Sequence, residues 1–396
     1  MTSKTTNQLS ALLLLPPPPT FHFAQVKEAF EPALINIYTK LSEGLNGSNR
    51  VAILDIALAI PNLLWPEYKP RAKVFTQLQQ YLTSIYSLIG AVCAAHNIEL
   101  DTPGGVDTRV VFVDHASETS DSPPFGPILG LSSLANSARC WDHIFYLSNS
   151  TGKNLANSFI EFGQARDSMA ARMQAITSNP DWIIAQPLLT PTDQQSFLPN
   201  HSVIVGGTFD HLHIGHKLLL TAVALALEPL DQEQEGRLII GVTGDALLAN
   251  KKHAELLEDW EQRWQQTASF LSAIMDFSDK KPPQIERAFA PGPNGKTVLV
   301  KIQPGLEFEF VEISDPFGPT ITRENIDAIL VSRETRSGGA AVNDERMKKG
   351  WKALAVFEVD VLKSGEVAAA TGADMESFDS KISSTEIRRR RAQLAK

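Results

Sequence analysis

SVIVGGTFDHLHIGHKLLLTAVALAL, residues Ser202–Leu227, predicts a buried strand, a glycine turn and a helix in succession. Val203–Val205 is a short apolar run of the kind found in buried parallel strands, and Gly206–Thr208 interrupts it. From Gly215 onward, apolar residues recur at the spacing of a packed helix face: Leu220, Val223, Ala224 and Leu227. The stretch therefore predicts one strand–turn–helix unit of an α/β fold.

The turn of this unit has the features of a phosphate-binding site. Backbone N–H groups and the positive end of the helix dipole meet there, and Gly206 and Gly207 allow a phosphate to approach the backbone closely. His213 and His216 are three residues apart, so both imidazoles can face one point and donate hydrogen bonds to phosphate oxygens. Taken singly, such a histidine is usually a cap and such a glycine pair a plain turn. In this order they favour phosphoryl or nucleotidyl transfer.

The totals of the chain predict two domains and exclude several classes of protein. At 396 residues the chain is long enough for an N-terminal domain over 1–195 and a second domain over 200–396, joined by a Pro-, Thr- and Gln-rich connector at 186–200. A net charge of −9 disfavours nucleic acid as a partner. Two cysteines exclude a disulfide scaffold, and no apolar run has membrane-spanning length, so we expect a cytoplasmic protein without a membrane partner.

The first half predicts a second α/β domain whose chemistry is not readable. Residues 1–20 end in Pro16–Pro19 and predict a disordered or strap-like tail. Apolar strands are predicted at 51–60, 108–113 and 144–147, and helices at 26–41, 72–96 and 154–176. It has no GxGxxG after a strand, no phosphate-binding loop of the GxxxxGK type, and no histidines at metal-ligand spacing.

The second half continues as alternating strands and helices. Strands are predicted at 237–242 and 328–331 and again at 354–359, with a hairpin from 298–302 and 308–313, a helix at 258–277, a loop at 278–297 and a helix at 341–351. Lys251 and Lys252 follow one strand, and Arg333 and Arg336 follow another. Ligands of open α/β sheets bind at the carboxyl ends of the strands, so these cations can reach a phosphate. The alternative for each is a solvated side chain.

The last element, KISSTEIRRRR at Lys381–Arg391, predicts a second phosphate contact. Ser383, Ser384 and Thr385 suit a helix N-terminus, where hydroxyl and free N–H groups bind anions, and Arg388 lies one turn further on. A bare run of arginines would be a solvated helix face. Joined to the hydroxyl-rich start, it favours a phosphate clamp.

GTFDHLHIGH, Gly207–His216, resembles the signature of the HxGH nucleotidyltransferases, and ISSTEIR resembles their C-terminal motif. DPFGP and ILVSRETRSGG further resemble eukaryotic-type phosphopantetheine adenylyltransferases over about Ser202–Gln393. Nicotinamide mononucleotide adenylyltransferases and cytidylyltransferases are the alternatives, although the former usually carry GSFNP and the latter RTEGIST. The resemblance implies a Rossmann-like domain with a parallel sheet, preceded here by the second α/β domain.

This resemblance implies adenylyl transfer from ATP to 4′-phosphopantetheine, giving dephospho-CoA and pyrophosphate, with Mg²⁺ carried by the ATP phosphates and no protein metal ligand. His216 would bind the α-phosphate, Thr208 would position the attacking phosphate, and Lys251, or alternatively Lys252, would bridge the two. The remaining ligand contacts expected from the motifs are Gly206, Gly207, Phe209, Asp210, His213, Gly215, Arg336 (or Arg333), Ser383, Ser384, Thr385 and Arg388. The N-terminal domain could dock other coenzyme A enzymes. The non-enzyme alternative is a nucleotide-sensing scaffold.

Overall fold

The computed structural model describes residues 9–45, 48–100, 103–115, 125–164, 166–192, 197–230, 234–278, 282–290, 292–303, 305–362 and 375–394. Within them the chain forms two β-sheets, one in each half, with helices packed against both. Both halves are therefore α/β, as the sequence predicts.

The first sheet has six strands that all run parallel, in the order β4-β3-β2-β1-β5-β6. Their bounds are β1 Ser10–Leu15, β2 Ala52–Ala59, β3 Val106–Asp114, β4 Ile128–Gly130, β5 His143–Leu147 and β6 Met173–Ile176. An all-parallel sheet must be covered on both faces, which explains why β1 and β2 are almost wholly apolar.

The expected strap at the N-terminus is wrong for the residues that the structure describes. Ser10–Leu15 forms β1 in the interior of the sheet, paired with β2 on one side and β5 on the other, and Ala11 through Leu15 are fully buried. The prolines end this strand because proline cannot donate to a strand ladder. Even there the chain is packed, since Trp182 Nε1 donates to the Pro17 carbonyl at 2.9 Å. Residues 1–8 lie outside the described part.

In the described part of the first half, five α-helices are present: α1 Phe23–Leu45, α2 Phe75–Ala95, α3 Leu131–Ala135, α4 Ser150–Phe162 and α5 Arg166–Ala170. The helix expected over 154–176 is wrong in its second part. Helix α4 ends at Phe162, where Gly163 leaves the helical conformation, and β6 then adds an edge strand to the sheet.

The second sheet is mixed and has the order β13-β12-β7-β8-β11-β10-β9. Its strands are β7 Ser202–Gly207, β8 Gly236–Thr243, β9 Gln284–Phe289, β10 Lys296–Gln303, β11 Leu306–Ile313, β12 Ala328–Ser332 and β13 Ala355–Val359. Strands β13 through β11 in this order pair parallel, and the predicted hairpin of β10 and β11 is antiparallel. Strand β9, antiparallel to β10, corrects the loop expected at 278–297. All six of its residues are exposed, so they carry no apolar alternation that would reveal a strand.

The helices of the second half are α6 Ile214–Ala226, α7 Trp260–Met275, α8 Arg336–Lys348, α9 Met375–Ile382 and α10 Ser384–Leu394. Helix α8 begins earlier than the predicted start at 341 and directly follows a short turn that Ser332 and Thr335 cap. Helix α2 of the first half packs against α6 and α9, and one apolar core runs through both halves. Among the helices of the described ranges, none combines the length and hydropathy needed to cross a lipid bilayer.

Candidate active site

The site begins at the carboxyl end of β7, where the chain turns towards α6. In the sheet Gly206 lies opposite Gly241, and Gly207 lies opposite Val242. A methyl group at Gly207 would come within 2.8 Å of the Phe209 ring, which is fully buried. A side chain at this position would therefore have to displace the ring or the end of β7, which explains the glycine.

Two residues of the following loop adopt the left-handed conformation, Phe209 with φ 52° and His211 with φ 46°. Such values are uncommon for residues other than glycine and persist where surrounding contacts hold them. Glu258 accepts from the His211 N–H at 2.8 Å, and the Leu256 carbonyl lies 2.9 Å from His211 Nε2. The segment before α7 thus holds the loop in a shape that brings His213 to the start of α6.

His213 and His216 form a stacked pair at this helix start. His213 is the N-cap of α6, and its Nδ1 accepts from the His216 N–H at 3.4 Å. The two rings are stacked with their centroids 3.8 Å apart. Because His213 Nδ1 is an acceptor, a neutral His213 carries its proton on Nε2, where it can be donated to a ligand.

Both imidazoles are neutral at physiological pH. Burial, together with the neighbouring His216 and His211, lowers the pKa of His213 well below its ordinary value. Burial also lowers the pKa of His216 to about 4, against a smaller opposing effect of Glu258. An incoming phosphate therefore meets hydrogen-bond donors and the α6 N-terminus.

Arg263 of α7 holds the strand ends that carry this loop, and sequence reasoning missed it. Its guanidinium is fully buried and donates to the Thr208 carbonyl at 2.7 Å, the Thr243 carbonyl at 2.7 Å and the Asp245 carboxylate at 2.6 Å. One side chain thereby ties β7 to β8. Its position in the sequence could have indicated a buried, paired charge, because Arg263 lies on the apolar face of α7 between Trp260 and Trp264.

The C-terminal motif meets this loop, as the sequence predicts for a shared phosphate site. Ser384 Oγ donates to the Asp210 carbonyl at 2.7 Å. Ser383 Oγ accepts from the Glu386 N–H at 3.4 Å near the start of α10, and Arg388 donates to Thr385 Oγ1 at 3.3 Å. Close backbone contact continues on the other side, where a methyl group at Gly215 would lie 3.6 Å from the Ile382 carbonyl.

Asp210 and Arg388, both expected from the motifs as ligand contacts, pair with each other in the structure. Asp210 is fully buried and Arg388 is 2% exposed, and the two form an ion pair. Arg388 Nε also donates to the Lys252 carbonyl at 3.1 Å. In this structure the pair therefore joins the loop after β7 to α10 and to the segment that carries the two lysines.

The remaining predicted cations lie at the edges of the site. Lys251 and Lys252 are exposed, in the segment between β8 and α7. Arg336 pairs with Glu358 of β13, and Arg333 Nη1 lies 3.8 Å from Asp360. Both arginines follow the carboxyl end of β12, on the side of the sheet where β7 ends. Neither of them touches the histidine pair through a contact among the described residues.

Nucleotidyltransferase activity generally uses a divalent metal, so we tested which residues could hold one. Asp210, His211 and Glu258 offer ligand atoms within 4.8 Å of one another. Asp210 is paired with Arg388, however, and Glu258 is bonded to His211. Burial would raise the pKa of the Glu258 carboxyl, but hydrogen bonds from His211 and Gln266 outweigh it and lower that pKa to about 2. Through these contacts the three groups hold the loop between β7 and α6.

Comparison with known proteins separates the two halves. Residues 204–390 match the cytidylyltransferase-like family, and residues 1–180 match a family described only as a domain of unknown function. The chain is 34% identical to the phosphopantetheine adenylyltransferase of Saccharomyces cerevisiae over 206 residues, 52% of each chain. It is 36% identical to an uncharacterized protein of Schizosaccharomyces pombe over 191 residues, 48% of each chain. The alignments thus span about half the length of these two relatives.

A shorter archaeal relative is covered more fully. The chain is 30% identical to the phosphopantetheine adenylyltransferase of Methanopyrus kandleri over 164 residues, which are 41% of this chain and 81% of the relative. The match confirms the resemblance and the Rossmann-like fold predicted for the second half. By these matches, the chain belongs to the phosphopantetheine adenylyltransferase family of cytidylyltransferase-like nucleotidyltransferases.

Proposed function

We propose that this protein transfers the adenylyl group of ATP to 4′-phosphopantetheine, giving dephospho-CoA and pyrophosphate. The observation that carries the proposal is the junction of the two phosphate motifs. The stacked His213 and His216 at the start of α6 and the Ser383–Arg388 turn are joined through Asp210. Two anion-binding helix starts at one place suit a triphosphate, and the similarity to the yeast and archaeal phosphopantetheine adenylyltransferases supplies the acceptor.

The reaction needs no general base or covalent intermediate. A phosphate oxygen of 4′-phosphopantetheine, already anionic, attacks the α-phosphorus of ATP, and the bond from that phosphorus to the oxygen bridging to the β-phosphate breaks. The electron pair leaves with pyrophosphate. Catalysis then depends on alignment and on donors aimed at the α-phosphate, and alignment alone can supply roughly 7 to 11 kcal/mol in favourable cases.

We assign roles by position in the site. His216 and His213 would donate to the α-phosphate and its neighbours, Thr208 would position the attacking phosphate, and Lys251 or Lys252 would bridge the two. Ser383, Ser384 and Thr385 would bind the departing pyrophosphate at the start of α10. Because Asp210 and Arg388 are buried together, we propose them as positioning residues that set the distance between the two motifs. Mg²⁺ on the phosphates would offset their charge, without a protein ligand.

Pyrophosphate release tests the reaction and its alternatives. The purified protein with ATP, Mg²⁺ and 4′-phosphopantetheine should release pyrophosphate. Nicotinamide mononucleotide as acceptor, or CTP with glycerol phosphate, should give little. Faster turnover with either alternative would replace the proposed acceptor, and ATP binding without turnover on any acceptor would favour a sensor.

His216→Ala should lower turnover about 10²-fold or more, the effect of losing one transition-state donor. The matched control is His143→Ala on β5 of the first sheet, which should keep wild-type turnover. Turnover of the purified His216→Ala protein within a few-fold of wild type would contradict the assignment. Docking of other coenzyme A enzymes by the first half, and the cytoplasmic location, stay predictions.

A further inference from the structure

Two carboxylates of the first half reach into the second half. Asp107 lies on β3, and Glu99 lies a few residues before that strand and beyond the end of α2. Each makes ion pairs with a lysine that belongs to a different phosphate motif. Neither motif is part of the first sheet, to which Asp107 belongs.

Asp107 binds the residue that directly follows His216. The Lys217 ammonium is 2% exposed and donates to Asp107 at 2.6 Å, while the Lys217 N–H donates to the His213 carbonyl at 3.0 Å. Arg109 also pairs with Asp107, at 2.9 Å. Burial would raise the pKa of Asp107, but Lys217 and Arg109 hold it well below its usual range. The first turn of α6 is therefore anchored to the first half by the ion pair of Lys217 with Asp107.

Glu99 binds the other motif twice. Its carboxylate accepts from Lys381 at 3.1 Å and from Arg390 at 2.9 Å. Lys381 is buried and stands two residues before Ser383, and Arg390 lies on α10 beyond the Ser383–Thr385 turn. One carboxylate of the first half thus holds the chain on both sides of this turn.

These pairs line a cavity of about 810 Å³ between the two halves, together with apolar residues such as Leu212 and Phe270. Around this cavity the ion pairs add to the packing of α2 against α6 and α9 and of β3 against α6 and α7. Because the pairs end on the two phosphate motifs, their lengths contribute to the distance between the starts of α6 and α10. A misplacement of about 1 Å at reacting groups can cost on the order of 10²-fold in rate.

We propose that Glu99 and Asp107 are positioning residues for catalysis, and that the first half is the part of the catalytic unit that fixes the spacing of the two phosphate motifs. The inference rests on the proposed adenylyl transfer. It gives the first half a role within the active unit, whether or not the same half also docks other proteins.

Glu99→Gln and Asp107→Asn in the full chain test it by turnover and by ATP affinity. Each should lower kcat about 10-fold or more while the KM for ATP changes less, because alignment is lost more than binding. Glu99→Asp, which keeps the charge, should recover most of the loss. Glu99 is partly exposed, so Glu99→Gln is expected to fold. If Asp107→Asn fails to fold, the double variant Asp107→Asn with Lys217→Met is used in its place, because it leaves no buried ammonium without a partner.

The matched control is Glu228→Gln. Glu228 also bridges the halves, accepting from the Arg71 N–H at 2.8 Å, but it lies beyond the opposite end of α6. Its removal should leave kcat within about two-fold. An equal loss in Glu228→Gln, or wild-type kcat in both carboxylate variants, would overturn the positioning role.

Amide hydrogen exchange separates this inference from the proposed reaction. Asp107→Asn should speed exchange over residues 208–216, and Glu99→Gln over residues 383–391, relative to Glu228→Gln. Exchange can be measured even if the wild-type protein releases no pyrophosphate, an outcome that would contradict the proposed reaction but not the positioning role of Glu99 and Asp107. Unchanged exchange in both segments would contradict the positioning role.

Discussion

At the scale of single residues, the site keeps the imidazoles of His213 and His216 neutral, so that they act as N–H donors. His213 is buried and His216 is half-buried, the two rings are stacked on each other close to the α6 N-terminus, and each of these features opposes a positive charge on the rings. A protonated imidazole at this place would also bind ATP, but it would destabilise the folded protein when no ligand is bound. Neutral rings keep the empty site stable and still present N–H donors to a phosphate.

This arrangement predicts that stability falls as the pH drops from about 6.5 to about 4. The pKa of His216 is about 4 in the folded protein, against an ordinary value of 6.5. Within that window the unfolded chain takes up a proton that the folded protein refuses, so acid favours unfolding. Between pH 7 and pH 4.5 the loss attributable to His216 is on the order of 2 kcal/mol.

Urea denaturation at those two pH values checks this contribution. His216→Ala removes the titrating ring, so its free energy of unfolding should fall less between pH 7 and pH 4.5 than that of the wild-type protein. Any constant difference between the two proteins cancels, because only the change with pH is compared. Parallel losses in both proteins would show that His216 titrates normally in the fold.

At the scale of elements, the turn between β7 and α6 depends on one glycine. A methyl group at Gly207 would lie 2.8 Å from the buried Phe209 ring, whose own backbone is already left-handed. Gly207→Ala must displace that ring or the end of β7, and overpacking of this kind typically costs about 1 to 3 kcal/mol. Because the loop leads to His213, turnover should fall together with stability.

Gly338→Ala is the matched control for Gly207→Ala. Gly338 lies on the exposed face of α8, and a methyl group there would meet nothing within 4 Å. Alanine favours the helix over glycine by roughly 0.5 to 1 kcal/mol, so this variant should be slightly more stable than wild type. Denaturant midpoints of the two variants that move in the same direction would refute the steric argument.

Elements with a clear period were predictable from the sequence, and elements without one were not. The β7–α6 unit follows from an apolar run, a glycine turn and a helical repeat, all within Ser202–Leu227. Strand β1 was hidden because four prolines follow it, and β9 because an exposed edge strand shows no apolar face. Local patterns therefore predict an element only when the burial of one face produces a regular spacing of apolar residues in the sequence.

The same limit applies to the site. His213, His216 and Ser384 could be predicted as site residues because they stand in short motifs. Arg263 and Lys217 were missed because their partners, such as Asp245 and Asp107, come from other elements. The role of a buried charged residue depends on the partner that it contacts, and the spacing of residues within one segment does not reveal a partner from another element.

At the scale of the whole molecule, the two halves share more than a connector. One apolar core includes residues of both sheets, and helix α2 packs against α6 and α9. Ion pairs reinforce the contact, as between Asp107 and Lys217. Opening either half would expose the apolar face and the buried charges of the other, so we expect them to unfold as one cooperative unit.

That coupling predicts that a ligand bound in the second half also stabilises the first. At 100 times its dissociation constant, MgATP should raise the free energy of unfolding by about 2.7 kcal/mol. Hydrogen exchange of the most protected amides reports this separately for β2, Ala52–Ala59, and for β8, Gly236–Thr243. The free energy of unfolding reported by the amides of each strand should rise by the same amount with MgATP and should not change with Mg²⁺ alone. A gain confined to β8 would mean that the halves unfold independently.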